Sequence, residues 1–279
     1  MITNEILGYP KDARLLIVNI DDYGMCYTVN TSAIHLLKKG AACSCTVMAP
    51  APWFIDGIER IKENPGIKCG VHLTAISEHI RFRWRPLSSP TSVPSLMDEQ
   101  GYFFLETRQE QFTTQADLHD LEIEWRTQIE YVLHLGVEIT HLDSHCNVHD
   151  SRDDFFTMTF NLAKEYGLPL RIHNENYLNL VKSQGLPALD YPDLDSFVLP
   201  LENKSSIYIQ LLRELPEGLS EFAIHPAMES DELRAITPEW PVRVSDYQFF
   251  NSLEYIDMIQ REGIQLVDYS LLKPHWTSR

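Results

Sequence analysis

The sequence has no apolar run long enough to cross a bilayer, no CxxC pair, no glycine-rich phosphate loop and few basic side chains. Each shortage removes a class of protein. A membrane-spanning helix needs about 20 consecutive apolar residues, so no membrane span is expected. The opening, MITNEILGYPKDARLLIVNI, lacks the apolar stretch of a secretory signal. Lysine and arginine number 23 against 40 aspartates and glutamates, a formal charge of -17. Nucleic acid and anionic membrane surfaces reward basic patches, so neither is expected as a partner. A small neutral substrate is untouched by that argument. The five cysteines (Cys26, Cys43, Cys45, Cys69 and Cys146) are odd in number and show no paired spacing, which suits a reducing, cytoplasmic compartment. Cys146 stands apart because it lies beside a polar cluster.

What is present is a regular alternation. A chain of 279 residues with 44% hydrophobic side chains can bury a large core. RLLIVNI at 14–20, continuous and β-branched, predicts a buried strand, and TVNTSAIHLLKKG a helix from about Asn30 closed by Gly40. ACSCTVMA at 42–49 and IKCGVHLT at 67–74 read as strands around the helix WFIDGIERIKENPG. DLHDLEIEWRTQIEYVLHLG has helical periodicity through Leu121, Trp125, Ile129 and Leu133. Strand EITHLDSH, helix DDFFTMTFNLAKEYG and strands LPLRIH and DSFVLP follow. Helix SIYIQLLRELPEG, strand LSEFAIHP, helix YQFFNSLEYIDMIQREG and strand IQLVDYS complete the chain.

This order predicts the α/β class with a parallel sheet. Without a linker or a repeat, it favours one barrel domain over residues 1–279, with an open doubly wound sheet as the alternative. The rhythm breaks between about 77 and 115, where EHIRFRWRPLSSPTSVPSLMDEQGYFF is long for a connection. Arg81, Arg83, Trp84, Arg85, Tyr102 and Phe103 there suit a lid over a substrate. The alternative is a small ordered insertion whose aromatics pack on the core.

Polar residues collect at the C-terminal ends of predicted strands: Asp21 and Asp22, His72, the HLDSH segment (His141, Asp143, His145) and His225. In parallel α/β folds that edge is where sites are built. Strand alternation places 141, 143 and 145 on one face. Two imidazoles and a carboxylate suit a divalent cation such as Zn²⁺. Two adjacent carboxylates repel and need different partners: one can bind metal while its neighbour serves as base. These residues predict a metal-assisted hydrolase and leave the scissile bond open.

LLIVNIDDYG, GVHL and THLDSH, in that order, with IHPA and WPVRVSDYQFF…IQREGIQLVDY further on, resemble the YdjC-like carbohydrate deacetylases over nearly the whole chain. The resemblance implies an irregular TIM-like (β/α) barrel with one divalent metal, Mg²⁺ or Zn²⁺, that removes acetyl groups from N-acetylated amino sugars. By motif it implies Asp22, His72 and His145 as metal ligands, Asp21 as general base and His225 as acid or charge stabiliser. His141, Asp143, His149, Arg83, Arg85, Arg171 and Arg243 are candidates for orienting ligands or contacting substrate. Of His141 and Asp143, at least one is expected to orient a ligand imidazole. The sequence departs from the family's HLDSHxHVH at Asn147, where a histidine is common, and Tyr23 replaces a frequent phenylalanine.

Two other readings remain. Another metal-dependent (β/α) barrel enzyme, a sugar isomerase or a phosphoester hydrolase, is kept open by Arg83, Arg85 and Arg171, although no phosphate cradle is seen. A non-catalytic carbohydrate-binding relative has no need of a free base beside a metal ligand. A homodimer stays open.

Overall fold

The computed structural model describes residues 3–277. The apolar run expected as a strand forms β1 (Arg14–Tyr23), buried from Leu15 onward. It is followed by β2 (Ser44–Val47), β3 (Cys69–Leu73), β4 (Ile76–Ser77), β5 (Phe104–Leu105), β6 (Ile139–Ser144), β7 (Leu194–Asp195), β8 (Gly218–Ile224) and β9 (Gln265–Leu266). The main sheet has the order β6-β3-β2-β1-β8-β7, with β9 against the first half of β1. Every pairing in it is parallel. The expected α/β class with a central parallel sheet is thus what the chain forms. The ladder runs from β6 to β7, and among the described residues no ladder joins those two ends.

Several elements differ from the expectation. LPLRIH contributes a single bridge, Leu142 to Leu170, in place of a strand. IQLVDYS shortens to β9 and a 3₁₀ turn at Tyr269–Leu271. The helix expected from Asn30 begins at Tyr27. The last long helix is two, Trp240–Phe250 and Leu253–Arg261, because the Ser252 side chain accepts from the Tyr255 amide and starts a new helix. No helix among the described residues is long and apolar enough to cross a membrane.

The sheet curls. Arg171, from the segment bridged to β6, reaches both Asp21 on β1 and Glu221 on β8. Strand alternation loads the enclosed face with polar groups: Asn19 and Asp21, then Ser44, Thr46, His72, His141, Asp143 and Glu221, all buried. Gly70 belongs to this face for a steric reason. A Cβ there would lie 2.6 Å from the His141 ring and 2.8 Å from its carbonyl oxygen. The ring cannot retreat, since it stacks on Tyr269 with centroids 4.0 Å apart.

The 77–115 insertion is an ordered unit. β4 and β5 pair across it, and Trp84, Val93, Leu96, Phe103, Phe104 and Phe112 are buried in the core. The Trp84 indole N–H donates to the Ile76 carbonyl at 2.7 Å. Arg83 pairs with Asp98 at 2.7 Å, and the Arg85 guanidinium lies 4.4 Å over the Tyr102 ring. The aromatics therefore anchor the segment, and these two arginines are engaged within it.

Gly70→Ala should lower stability by about 1–3 kcal/mol, the usual cost of overpacking. Gly66→Ala, where a Cβ meets nothing within 4 Å, should leave it nearly unchanged. Denaturant melts of the two variants check the difference.

Candidate metal and catalytic site

β1 does not end as a regular strand. Its register with β2 shifts between Ile20 and Tyr23, and Asp22 has a φ of 60°. In an even strand adjacent side chains point to opposite faces, so Asp21 and Asp22 would part. The left-handed turn at Asp22 is uncommon for a residue with a side chain, and costs about 1–2 kcal/mol. It brings both carboxylates to one cavity of about 310 Å³. His72, Glu78, His79, Glu106, His145, Asp195, His225 and Glu239 also line it, with Ser144, Cys146, Asn147 and Phe197.

Asp22 faces two imidazoles and a guanidinium. His145 Nδ1 lies 3.2 Å and His72 Nε2 3.4 Å from its Oδ1, and Arg243 Nη2 lies 2.7 Å from its Oδ2. Neither Asp22 oxygen has a hydrogen-bond partner despite these approaches, and His145 Nε2 has none either. One ligand atom from each of Asp22, His72 and His145 can be chosen so that all lie within 4.8 Å of one another. Buried polar atoms facing one another without hydrogen-bond alignment fit a shared cation, and the donor types suit Zn²⁺ or a similar ion. Burial alone would raise the Asp22 carboxyl, but Arg243 and the two imidazoles hold it well below the usual carboxylate range.

His72 is oriented from behind. Its Nδ1 donates to Asp143 Oδ1 at 2.7 Å, leaving Nε2 toward Asp22. Burial would lower this imidazole, yet Asp143 and Asp21 push it up to about 9. Asp143 thereby fixes the orientation of the His72 ring. His141 takes no part in that orientation. It stacks on Tyr269, and burial pulls it down to about 3. The strand stops at Ser144, so His145 sits at the start of the following 3₁₀ turn.

Asp21 has its own partners. Arg171 grips it with two hydrogen bonds, Nη1 to Oδ1 at 2.9 Å and Nη2 to Oδ2 at 2.6 Å. Asn19 donates to Oδ1 at 2.8 Å. Across the cavity His225 Nε2 lies 3.8 Å from Asp21 Oδ2. The His225 ring is held by Ser196 Oγ at 2.9 Å from Nδ1 and by Phe197 at a centroid distance of 4.3 Å. Its backbone N–H donates to Asp246 at 3.0 Å.

Asp21, Asp22, His72, His145 and His225 thus converge on one cavity. Asp143, Arg171 and Arg243 stand directly behind them. His141 lies deeper, and His149 pairs with Ser144 and sits 3.2 Å from Asp150, shaping the turn after β6. Arg83 and Arg85 do not line the cavity. Glu78, which sits 3.5 Å from His145 Nε2 and 3.3 Å from Arg243, escaped the sequence reading. So did Asn19, Asp195, Ser196 and Glu221. Asn19 had a visible signal, a polar residue inside an apolar run two places before Asp21.

Comparison with known proteins gives the same outline. A family model described as YdjC-like protein matches residues 15–261. A carbohydrate deacetylase of Thermoanaerobacter pseudethanolicus is 30% identical over 263 residues, covering 93% of this chain and 100% of that one. A carbohydrate deacetylase of Enterococcus faecalis is 30% identical over 269 residues, covering 93% and 98%. Among solved structures, a protein of Enterococcus faecalis described as a cellobiose-phosphate cleavage protein aligns with a TM-score of 0.79 and 28% identity, over 92% of this chain and 98% of that one. The chain belongs to the YdjC-like family.

Proposed function

We propose that the protein is a metal-dependent hydrolase that removes an acetyl group from an N-acetylated amino sugar or oligosaccharide. The observation that carries this reading is the separation of partners within the aspartate pair. Asp22 faces two imidazoles, while Asp21 is held by Arg171 and faces His225 across the same cavity. The relatives named carbohydrate deacetylases support the choice of bond. The curled sheet is read as an irregular TIM-like (β/α) barrel.

Asp22, His72 and His145 would hold one divalent ion, Mg²⁺ or Zn²⁺. A divalent ion there supplies Lewis-acid polarisation of the acetyl carbonyl and acidifies water. The remaining work falls to the side chains. Asp143 fixes the His72 ring so that Nε2 stays on Asp22. Asp21 takes the proton of the attacking water, its oxygens aimed by Arg171 and Asn19. As an imidazolium, His225 would donate Nδ1–H to the Ser196 oxygen and present Nε2–H to the cavity and the departing amine, returning to the neutral ring once that proton is given up. Phe197 offers an apolar wall for the flat face of a sugar ring.

The phosphoester alternative needs a cation facing the reacting phosphate. Among the described residues no lysine or arginine lines the cavity. Arg171 and Arg243 are committed to Asp21 and Asp22.

Purified enzyme supplied with Zn²⁺ or Mg²⁺ should release acetate from N-acetylglucosamine oligomers, and a chelator should abolish the release until metal is returned. Absence of acetate at every metal tested would overturn the reading. Within the pair, Asp22→Ala should lose bound metal. Asp21→Asn should keep it while turnover falls on the order of 10²–10⁴-fold, the usual contribution of a general base. Elemental analysis after dialysis, beside turnover, checks the split; equal metal loss in both variants contradicts it.

A further inference from the structure

Beneath Asp21 lies a buried carboxyl that the chemistry above does not use. Glu221, on β8 opposite Ile17 of β1, is 1% exposed. Its Oε1 lies 3.3 Å from Arg171 Nη1, and its Oε2 accepts from the Tyr269 hydroxyl. The Tyr269 ring stacks on His141 at 4.0 Å with an interplanar angle of 10°, and His141 is itself backed by Gly70.

The Arg171 fork has two carboxylates within equal reach. Nη2 is 2.6 Å from Asp21 Oδ2 and 2.6 Å from Asp143 Oδ2. The two Asp21 contacts are aligned hydrogen bonds, whereas the Asp143 contact is an ion pair without that alignment, so the fork bridges both carboxylates. A small rotation of the guanidinium would move that alignment from Asp21 to Asp143. A further contact sets which of the two carboxylates receives the alignment. Glu221 occupies the place to do so, on the other nitrogen.

We propose that Glu221 and Tyr269 are positioning residues that keep the Arg171 fork aligned on Asp21 while it also pairs with Asp143. The proposal rests on the reading of Asp21 as the base. Glu221 suits this role because it anchors without adding a full charge near neutral pH. Burial pushes it up to about 8, with the Asp193 and Asp21 charges adding to the effect and Arg171 and Tyr269 opposing it.

The test compares Glu221→Ala, Glu221→Gln and Tyr269→Phe in metal-loaded enzyme. Glu221→Ala should lower kcat about 10- to 100-fold, the scale of a misplaced catalytic group. KM and metal affinity should hold, and the acid limb of kcat/KM should move to higher pH as the base loses its aligned cation. Glu221→Gln keeps an acceptor for Nη1 and should restore kcat to within about twofold. Tyr269→Phe removes one oxygen and should shift the acid limb in the same direction, which keeps the test open if the alanine variant does not fold. Wild-type kcat and acid limb in the alanine or phenylalanine variant, or equal loss in the glutamine variant, would overturn the proposal. A crystal structure of the variant gives an arm independent of turnover. The fork should turn onto Asp143, taking Nη1 beyond about 3.5 Å from Asp21 Oδ1, and an unmoved fork would overturn the proposal. An inactive wild type would sink the deacetylase reading alone, since the crystal arm still decides this one.

Discussion

Two buried guanidiniums make the adjacent carboxylates affordable. Asp21 and Asp22 are 4% and 1% exposed, so neither is screened by water. Arg171 binds the first and Arg243 the second, and both arginines are themselves buried. Removing one partner of such a pair leaves an uncompensated charge, at about 3–5 kcal/mol. The two arginines come from distant parts of the chain, one beside β6 and one on the Trp240–Phe250 helix. The site therefore exists only when the sheet has curled and that helix has docked. Arg243 leaves Nε and Nη1 without hydrogen bonds, so charge more than a full donor network ties it to Asp22.

Backbone strain accompanies this charge arrangement. Asp22 occupies the left-handed region at one wall of the cavity, and Cys146 and Asn147 occupy it at another, with φ of 54° and 50°. Strain of this kind persists where surrounding contacts over-determine it. At Asp22 those contacts are Arg243 and the imidazoles. At Cys146 the carbonyl accepts from Gln109 at 2.9 Å, which ties the insertion to the turn carrying His145. Asparagine tolerates the left-handed region better than most residues, which suits Asn147 to its backbone.

Much of the site was legible because strand ends advertise it. Asp21, Asp22, His72 and His225 each interrupt or close an apolar run, and such polar breaks at one sheet edge have few structural explanations. Arg171 was visible as a residue but not as a partner, since the carboxylates it pairs with, Asp21, Asp143 and Glu221, lie on three separate strands. Glu78 opens an insertion without periodicity, so nothing in its surroundings marked it. Arg83 and Arg85 drew attention for their charge, and their partners Asp98 and Tyr102 belong to the same insertion. Composition alone cannot separate an arginine that folds a loop from one that meets a ligand.

The central claim is that Asp22, with His72 and His145, holds one divalent cation while Asp21 stays free of it. Anomalous diffraction at a metal absorption edge, from crystals grown with Zn²⁺, addresses this directly. The account predicts one peak about 2.0–2.2 Å from an oxygen of Asp22 and from a nitrogen of each imidazole, the usual zinc bond lengths, with Arg171 still on Asp21. A peak bound by Asp21 and Asp143 in place of Arg171, or none at the Asp22 cluster, would contradict it.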